Sequence, residues 1–375
     1  MSAQVDVIVS ANDAKQVRRA GVDSFPRDAG PDSLSIIDVS AFPPRVLATV
    51  EVATSIVGPP QAVAISPDRR LAAVSATNHY DRGAGKLVFE PMLQLVELAA
   101  TPPRVTRVDV GHHPQGLAFN RAGTLLLAAT NGGTVAVLTI EGAQARLADR
   151  LQISSGRLAG ITFTPDGSSA LVAQRDEQGV AVLDIDGSRV VDSGERISTG
   201  VAPYAIDVDA VGRWAIVGNV GLTGLGGTPP ERKRVLAGDA DSFTLIDVAH
   251  RPFRAVQHVT VPSIPEGVAI SPDGRWIAVL AMDGSNLPQG HPARRERGRL
   301  QLFRVDAGHA ERVSDLPAGE SAQGVVFSAD GRYVLAQFFV ERQIAVFDVN
   351  GGVLFDTGLR IDVPGGPASL RAAPR

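Results

Sequence analysis

Residues 265–281 read PEGVAISPDGRWIAVLA, and this stretch decides the fold. It holds an apolar run, a Ser-Pro-Asp-Gly turn and a second apolar run. Pro fixes one backbone torsion of a tight turn, and Gly accepts the positive φ that such a turn requires. Short apolar runs on both sides of that turn predict a strand hairpin. The unit recurs as PQAVAISPDRRLAAVSA (60–76), PQGLAFNRAGTLLLAAT (114–130) and LAGITFTPDGSSALVAQ (158–174). It recurs again as PYAIDVDAVGRWAIVGN (203–219) and AQGVVFSADGRYVLAQF (322–338). A third run follows each unit: MLQLVEL, TVAVLTI, GVAVLDI, SFTLIDV, RLQLFRV or QIAVFDV. More variable fourth runs such as RVTRVDV and RAVQHVTV complete the set. Four short strands per repeat of roughly 40–50 residues are the signature of a β-propeller blade.

Six units are complete, and the ends of the chain supply a seventh. VDVIVSAN, DSLSIIDV and RVLATVEV match second, third and fourth strands, while PASLRAA from Pro367 is a first strand. A blade shared between the termini leaves no sheet edge free to aggregate. The predicted fold is therefore all-β: one seven-bladed propeller over residues 1–375, with four antiparallel strands per blade and a ring closed by both termini. Trp214 and Trp276 stand at equivalent second-strand starts and are expected to pack between blades.

Equivalent first-strand positions are Gln61, Gln115, Ala159, Tyr204, Glu266, Gln323 and Ala368, spaced 54, 44, 45, 62, 57 and 45 residues apart. The extra length falls between second and third strands, at 78–91, 219–241 and 283–299, with a similar insert at 12–32. These connections emerge on one face, so four long loops crowd one mouth of the channel, and long loops in compact domains usually carry function.

The chain is 44% hydrophobic and 20% charged with a net charge of -4, which gives no support to nucleic-acid binding. There is no Cys, so disulfides, thiolate metal sites and Cys nucleophiles are excluded. No apolar run approaches the roughly 18 residues that span a bilayer. The first residues lack a signal-peptide pattern, and the compartment, cytoplasmic or periplasmic, stays open. A monomer is expected.

Two rings of polar residues are expected at the mouth. The starts of first strands offer Gln61, His113 with Gln115, Arg157, Tyr204, Glu266 and Gln323. The ends of second strands offer Asn12, Asn78, Asn131, Gln174, Arg175, Asn219, Asp283 and Gln337. The inserts add His79-Tyr80-Asp81-Arg82 and arginines at 18, 19, 27, 82, 232, 234, 294, 295 and 297, with Lys233. A positive mouth would attract anions, and the guanidinium fork suits carboxylate or phosphate. A small anionic substrate is thus expected, held by His79, Arg82, Gln115, Arg157, Arg175, Tyr204, Asn219 and Gln323. His113, fixed in direction by Pro114, and Glu266, three blades away, would be the proton-transfer pair. No cofactor is required; a divalent metal on His112, His113, Asp81, Glu266, Asp283 or His291 is an open alternative without regular ligand spacing. The Gly-rich run 218–227 has no Lys-Ser/Thr and reads as a loop.

The repeated units resemble the YVTN-type, lactonase-like seven-bladed propellers, whose members include relatives of 6-phosphogluconolactonase and muconate lactonizing enzymes. The naming tetrapeptide is reduced here to Val217-Gly218-Asn219. The His-Pro-His step of the muconate enzymes stands here as His113-Pro114-Gln115, and their later Glu is matched one residue early by Glu266. The resemblance implies a lactonase-like enzyme opening or closing a lactone at the channel mouth. The alternatives are a non-catalytic binding platform and a metal-dependent propeller hydrolase.

Overall fold

The computed structural model describes residues 6–221 and 240–374. Arg232, Lys233, Arg234 and most of the Gly-rich run lie outside these residues. From the N-terminus, β1 (Val7–Asp13) is followed by a small hairpin, β2 (Val17–Arg19) and β3 (Val22–Ser24), then β4 (Ser33–Asp38) and β5 (Arg45–Glu51). Blade 2 contains β6 (Val63–Ile65) and β7 (Leu71–Val74), a second small hairpin β8 (Asn78–Asp81) and β9 (Lys86–Phe89), then β10 (Met92–Glu97) and β11 (Arg104–Asp109). Blade 3 is β12 (Pro114–Phe119), β13 (Leu125–Thr130), β14 (Thr134–Glu141) and β15 (Gln144–Gln152). Blade 4 is β16 (Leu158–Phe163), β17 (Ser169–Gln174), β18 (Gly179–Asp186) and β19 (Arg189–Ser198). Blade 5 is β20 (Pro203–Val208), β21 (Trp214–Asn219), β22 (Ser242–Asp247) and β23 (Arg254–Thr260). Blade 6 is β24 (Gly267–Ile270), β25 (Trp276–Ala281), β26 (Arg299–Asp306) and β27 (His309–Pro317). Blade 7 is β28 (Ala322–Phe327), β29 (Tyr333–Phe338), β30 (Gln343–Asn350) and β31 (Val353–Asp362). Finally β32 (Gly366–Ala372) returns to pair with β1, giving blade 1 the order β32-β1-β4-β5.

The chain is thus a seven-bladed propeller closed by both termini, as the repeats predict. Its core is divided among the seven gaps between neighbouring blades. Leu125, Leu127 and Ala129 pack into the cluster shared with blade 4, whereas Leu126 and Ala128 pack into the cluster shared with blade 2. Successive strand residues point to opposite faces, and both faces are covered. That is why LLLAA is apolar throughout rather than alternating. The gap between blades 7 and 1 is sealed in the same way by Ile8, Ile37, Leu335, Ile344 and Leu370. Trp276 packs against the blade 6–7 cluster and Trp214 against the blade 5–6 cluster, as expected.

First strands approach one another closely around the axis. Leu117 N donates to Gln61 O (2.9 Å) and Leu370 N to Pro60 O (3.0 Å), bonding neighbouring blades directly. The residue after the mouth position must then be small. A Cβ on Gly116 would lie 2.5 Å from Ala159 O, and one on Gly267 would lie 2.4 Å from Gln323 O.

Candidate functional site

Four first strands meet their second strands through one extra residue: the register slips between Pro114 and Leu117, Leu158 and Ile161, Pro203 and Ile206, and Ala322 and Val325. A bulge of this kind re-aims side chains. Gln115, Ala159, Tyr204 and Gln323 sit inside these steps. In blade 6 the equivalent Glu266 is approached through Ile264, whose φ of +57° is unusual for a β-branched residue. Ile264 N donates to a carboxylate oxygen of Asp241 (2.6 Å), and Met282 N donates to Ile264 O (3.0 Å). Such strain persists only where the surroundings impose it.

Glu266, Arg175 and Tyr204 come together at this mouth from blades 6, 4 and 5. Arg175 lies 4.2 Å from the Tyr204 ring centroid. Its Nη1 and the Oε2 of Glu266 are both sealed from water and without a hydrogen-bond partner. Burial pushes the Glu266 carboxyl up to about 7, while the charges of Arg175 and Arg18 pull it back. Burial likewise raises the Tyr204 phenol, and Glu266 raises it further, so it stays protonated at neutral pH. The Oε1 of Gln323 and both ends of the Asn78 amide are also buried and unpartnered. Buried polar groups are nearly always paired, so their concentration at one mouth marks a place that expects a polar occupant.

His113 is buried in blade 3, with Nδ1 3.1 Å from Glu90 O and its ring edge-on to Phe89 at 4.8 Å. The carbonyl can only accept, so Nδ1 carries the proton and the unpartnered Nε2 is a lone-pair acceptor. Burial lowers its pKa and keeps it neutral. The charges that act on Glu266 are Arg175 and Arg18. The Gln61 amide reaches from blade 2 to blade 5, accepting from Ile206 N (3.0 Å) and donating to Ile206 O.

Other expected ligand groups are engaged elsewhere. Arg157 makes a fork to Asp176, with Nε–Oδ2 2.9 Å and Nη2–Oδ1 2.7 Å, and this pair holds the aspartate below its usual range. His79 is exposed and pairs with Glu90 at 3.0 Å. Asn219 braces its own blade, donating to Ser242 Oγ (3.2 Å) and Thr244 Oγ1 (2.9 Å). Asn12 braces its blade in the same way through Ser33 and Ser35, whereas the Oδ1 of Asn219 is buried and unpartnered like the Oε1 of Gln323. Gln115 is buried beside Gly58, and Gln323 donates to Ser321 O at 3.4 Å.

The inserts of blades 1, 2 and 6 join into a cover over the mouth. Arg82 donates to Phe25 O (3.0 Å) and Pro26 O (2.7 Å), and Phe25 stacks on Tyr80 with centroids 3.9 Å apart. On the other side, Gln289 N donates to Ala20 O (3.2 Å). Arg82 is thus a clasp, not an anion holder. Arg294 pairs with Glu320 (3.1 Å) and Arg295 with Asp283 (3.4 Å), so much of the expected positive charge is offset locally. Arg18 is the residue whose placement the sequence hides. Its position in a basic insert is legible, but the hairpin that carries it to Ser321 at the start of blade 7 is not. Among the described residues, no three His, Asp or Glu side chains group so as to hold a metal ion.

A cavity of about 130 Å³ lies at the other end of the channel, lined by Phe119, Phe163, Phe327, Ile270, Asp207 and Arg371 among others. Its charges are matched: Arg371 Nη1 lies 3.3 Å from Asp207 Oδ1, and Ile270 N donates to Asp207 Oδ2 at 3.1 Å. No lining residue there carries a sealed, unpartnered side-chain atom among the described residues.

The raised Glu266 pKa has a consequence for stability. Below its unfolded value of 4.5 the carboxyl is protonated in both states and costs nothing. Stability is lost as pH rises toward about 7, where the buried group must ionise. Glu266→Gln is therefore expected to melt above wild type at pH 8 and level with it at pH 4, the gain reaching about 3 kcal/mol at most. Equal melting curves at both pH values would show that Glu266 is ordinarily solvated.

Fold and mouth together define a seven-bladed propeller with an ionisable site under a clasped cover. No family model matches the chain. An uncharacterized WD repeat-containing protein of Synechocystis is 28% identical over 136 residues, 36% of this chain and 34% of that protein. The chain's match therefore spans only about a third of that relative's length. Among solved structures, a protein of Bacteroides uniformis provisionally named a 6-phosphogluconolactonase superposes with a TM-score of 0.73 at 15% identity, covering 99% of this chain and 100% of that one. A periplasmic gluconolactonase of Pseudomonas aeruginosa gives 0.68 at 16% identity, covering 98% and 99%. Hydrazine synthase of Kuenenia stuttgartiensis gives 0.61 at 18% identity, covering 86% and 94%. These likenesses show the seven-bladed fold, a fold shared by proteins of different chemistry.

Proposed function

We propose that the protein is a lactone hydrolase whose site is the insert-covered mouth, acting on a small lactone that carries an anionic group. The observation that carries this reading is the meeting of Glu266 and Arg175 with sealed, unpartnered atoms beside the protonated phenol of Tyr204. The lactonase names of two solved neighbours support the reaction class. In its ionised form Glu266 takes a proton from water as the water oxygen bonds to the lactone carbonyl carbon. Arg175 stabilises the oxyanion that develops. The ring C–O bond then breaks, and Glu266 returns the proton to the leaving ring oxygen, giving the open hydroxy acid. His113 is a neutral acceptor at the edge of the site, and no step depends on it.

The test is continuous titration of the acid released from glucono-1,5-lactone and its 6-phosphate, corrected for spontaneous opening. Wild type is expected to saturate with substrate. Arg175→Ala is expected to lose roughly a hundredfold in kcat/KM, the scale for one oxyanion donor. A binding platform would instead show ligand affinity dependent on Arg175 and no turnover.

A further inference from the structure

We propose that the β2–β3 hairpin is a clasped lid whose Arg18 is a specificity-determining residue, supplying the second guanidinium that makes the Glu266–Arg175 mouth select anionic ligands. This rests on the site reading above and adds to it the element that completes the site.

The hairpin is built to hold one arginine still. Val17, Arg18 and Arg19 pair with Ser24, Asp23 and Val22 around the Ala20-Gly21 turn. Asp23 accepts from Arg18 Nε (2.8 Å) and Nη2 (3.0 Å), which fixes the guanidinium plane and leaves Nη1 on the opposite edge. That edge points to blade 7, where Nη1 lies 3.4 Å from Ser321 Oγ and the guanidinium carbon 5.9 Å from the Phe339 ring centroid. Ser321 stands two residues before Gln323, whose Oε1 is buried and unpartnered. The Arg18 side chain is 14% exposed, low for an arginine on a surface hairpin. Its charge is close enough to bear on Glu266 in the neighbouring blade.

The hairpin is anchored at three places. At its base, Lys15 Nζ lies 3.2 Å from Asp13 and 2.7 Å from Asp32, and Asp13 also accepts from Ile56 N at 3.0 Å. On one flank Arg82 and Tyr80 hold Phe25 and Pro26. At the tip Gly21 lies against the blade 6 insert so closely that a Cβ would stand 2.1 Å from Leu287 O, at a φ of +73°. A lone surface hairpin has no need of three clasps; one that must keep a charge over a neighbouring blade does. Asp23 offsets the charge of Arg18, so the excess positive charge is that of Arg175, and Arg18 Nη1 adds a directed donor to the mouth. The mouth fits a phosphate or carboxylate better than a neutral sugar ring.

Binding of inorganic phosphate and of gluconate to the intact protein, measured by titration calorimetry at low salt, tests this. Arg18→Ala is expected to weaken both by tenfold or more, and Arg18→Lys to recover part of the loss. Gly21→Ala should weaken binding to a similar degree although Arg18 is retained, because the added carbon must lift the tip from Leu287. Carbon NMR of the Glu266 carboxyl supplies a readout that loss of packing alone would not move: its titration midpoint should rise in Arg18→Ala. If Arg18→Ala binds both anions like wild type while Arg175→Ala does not, the lid proposal fails and the mouth reading stands. If wild type binds neither anion, both fail.

Discussion

Removing residues 366–375 is expected to destroy the cooperative fold. The deletion takes away β32, the innermost strand of blade 1, and with it the ladder from Ile8–Ala372 to Asp13–Gly366. It also removes Leu370, 1% exposed in the cluster between blades 7 and 1. Truncating a side chain buried that deeply costs about 2–5 kcal/mol by itself. Polar ties go as well: Gln337 Nε2 donates to Ser369 O (2.8 Å) and Ser369 Oγ to Pro59 O (3.3 Å). The sum is comparable with the whole stability of an ordinary domain, about 5–15 kcal/mol. The truncated chain should be insoluble or melt roughly ten degrees lower or more, with β1 left as an open edge. A soluble truncated protein with an unchanged melting temperature would contradict ring closure.

Glu266→Gln is expected to lower lactone turnover by roughly a hundredfold or more, the scale of a lost general base. The substitution keeps size and hydrogen-bonding capacity but removes the ionisable proton, and the stability argument above has it fold at least as well as wild type. A fall in kcat with little change in KM would locate its role in the chemical step rather than in binding. His113→Ala is expected to have a much smaller effect, because Nδ1 is committed to Glu90 O and the charges acting on Glu266 are those of Arg175 and Arg18. Equal losses in both variants would restore the paired acid–base arrangement that the sequence suggests.

The blades were legible because their signals are local. A Pro-Asp-Gly turn between two apolar runs specifies a hairpin wherever it stands, and β32 was recognisable in PASLRAA by the same pattern. Of the site, Glu266, Arg175 and Tyr204 were legible because strand ends at one ring level must share a mouth. What failed to read were pairings across sequence distance. Arg157 looks like an anion holder until Asp176 is seen to take its fork. Arg82 looks like another until Phe25 and Pro26 are seen under its donors. Gln61 is one more polar strand start in sequence, yet its amide bonds to a strand 145 residues away. Arg18 belongs to an insert whose hairpin has weak apolar alternation, so neither its strands nor its destination is written locally. Register errors of one residue decide such contacts, and no periodicity in these loops fixes the register.

The pH dependence of kcat/KM for glucono-1,5-lactone 6-phosphate tests the central claim most directly. With Glu266 acting as a general base whose carboxyl titrates at about 7, the rate should rise with pH through that value and then level off. In Glu266→Gln the inflection should vanish together with most of the rate. In Arg18→Ala and Arg175→Ala it should persist and move upward, because both guanidiniums favour the ionised carboxylate. An inflection near 7 that survives unchanged in Glu266→Gln would show that another group carries the proton, and would contradict the account.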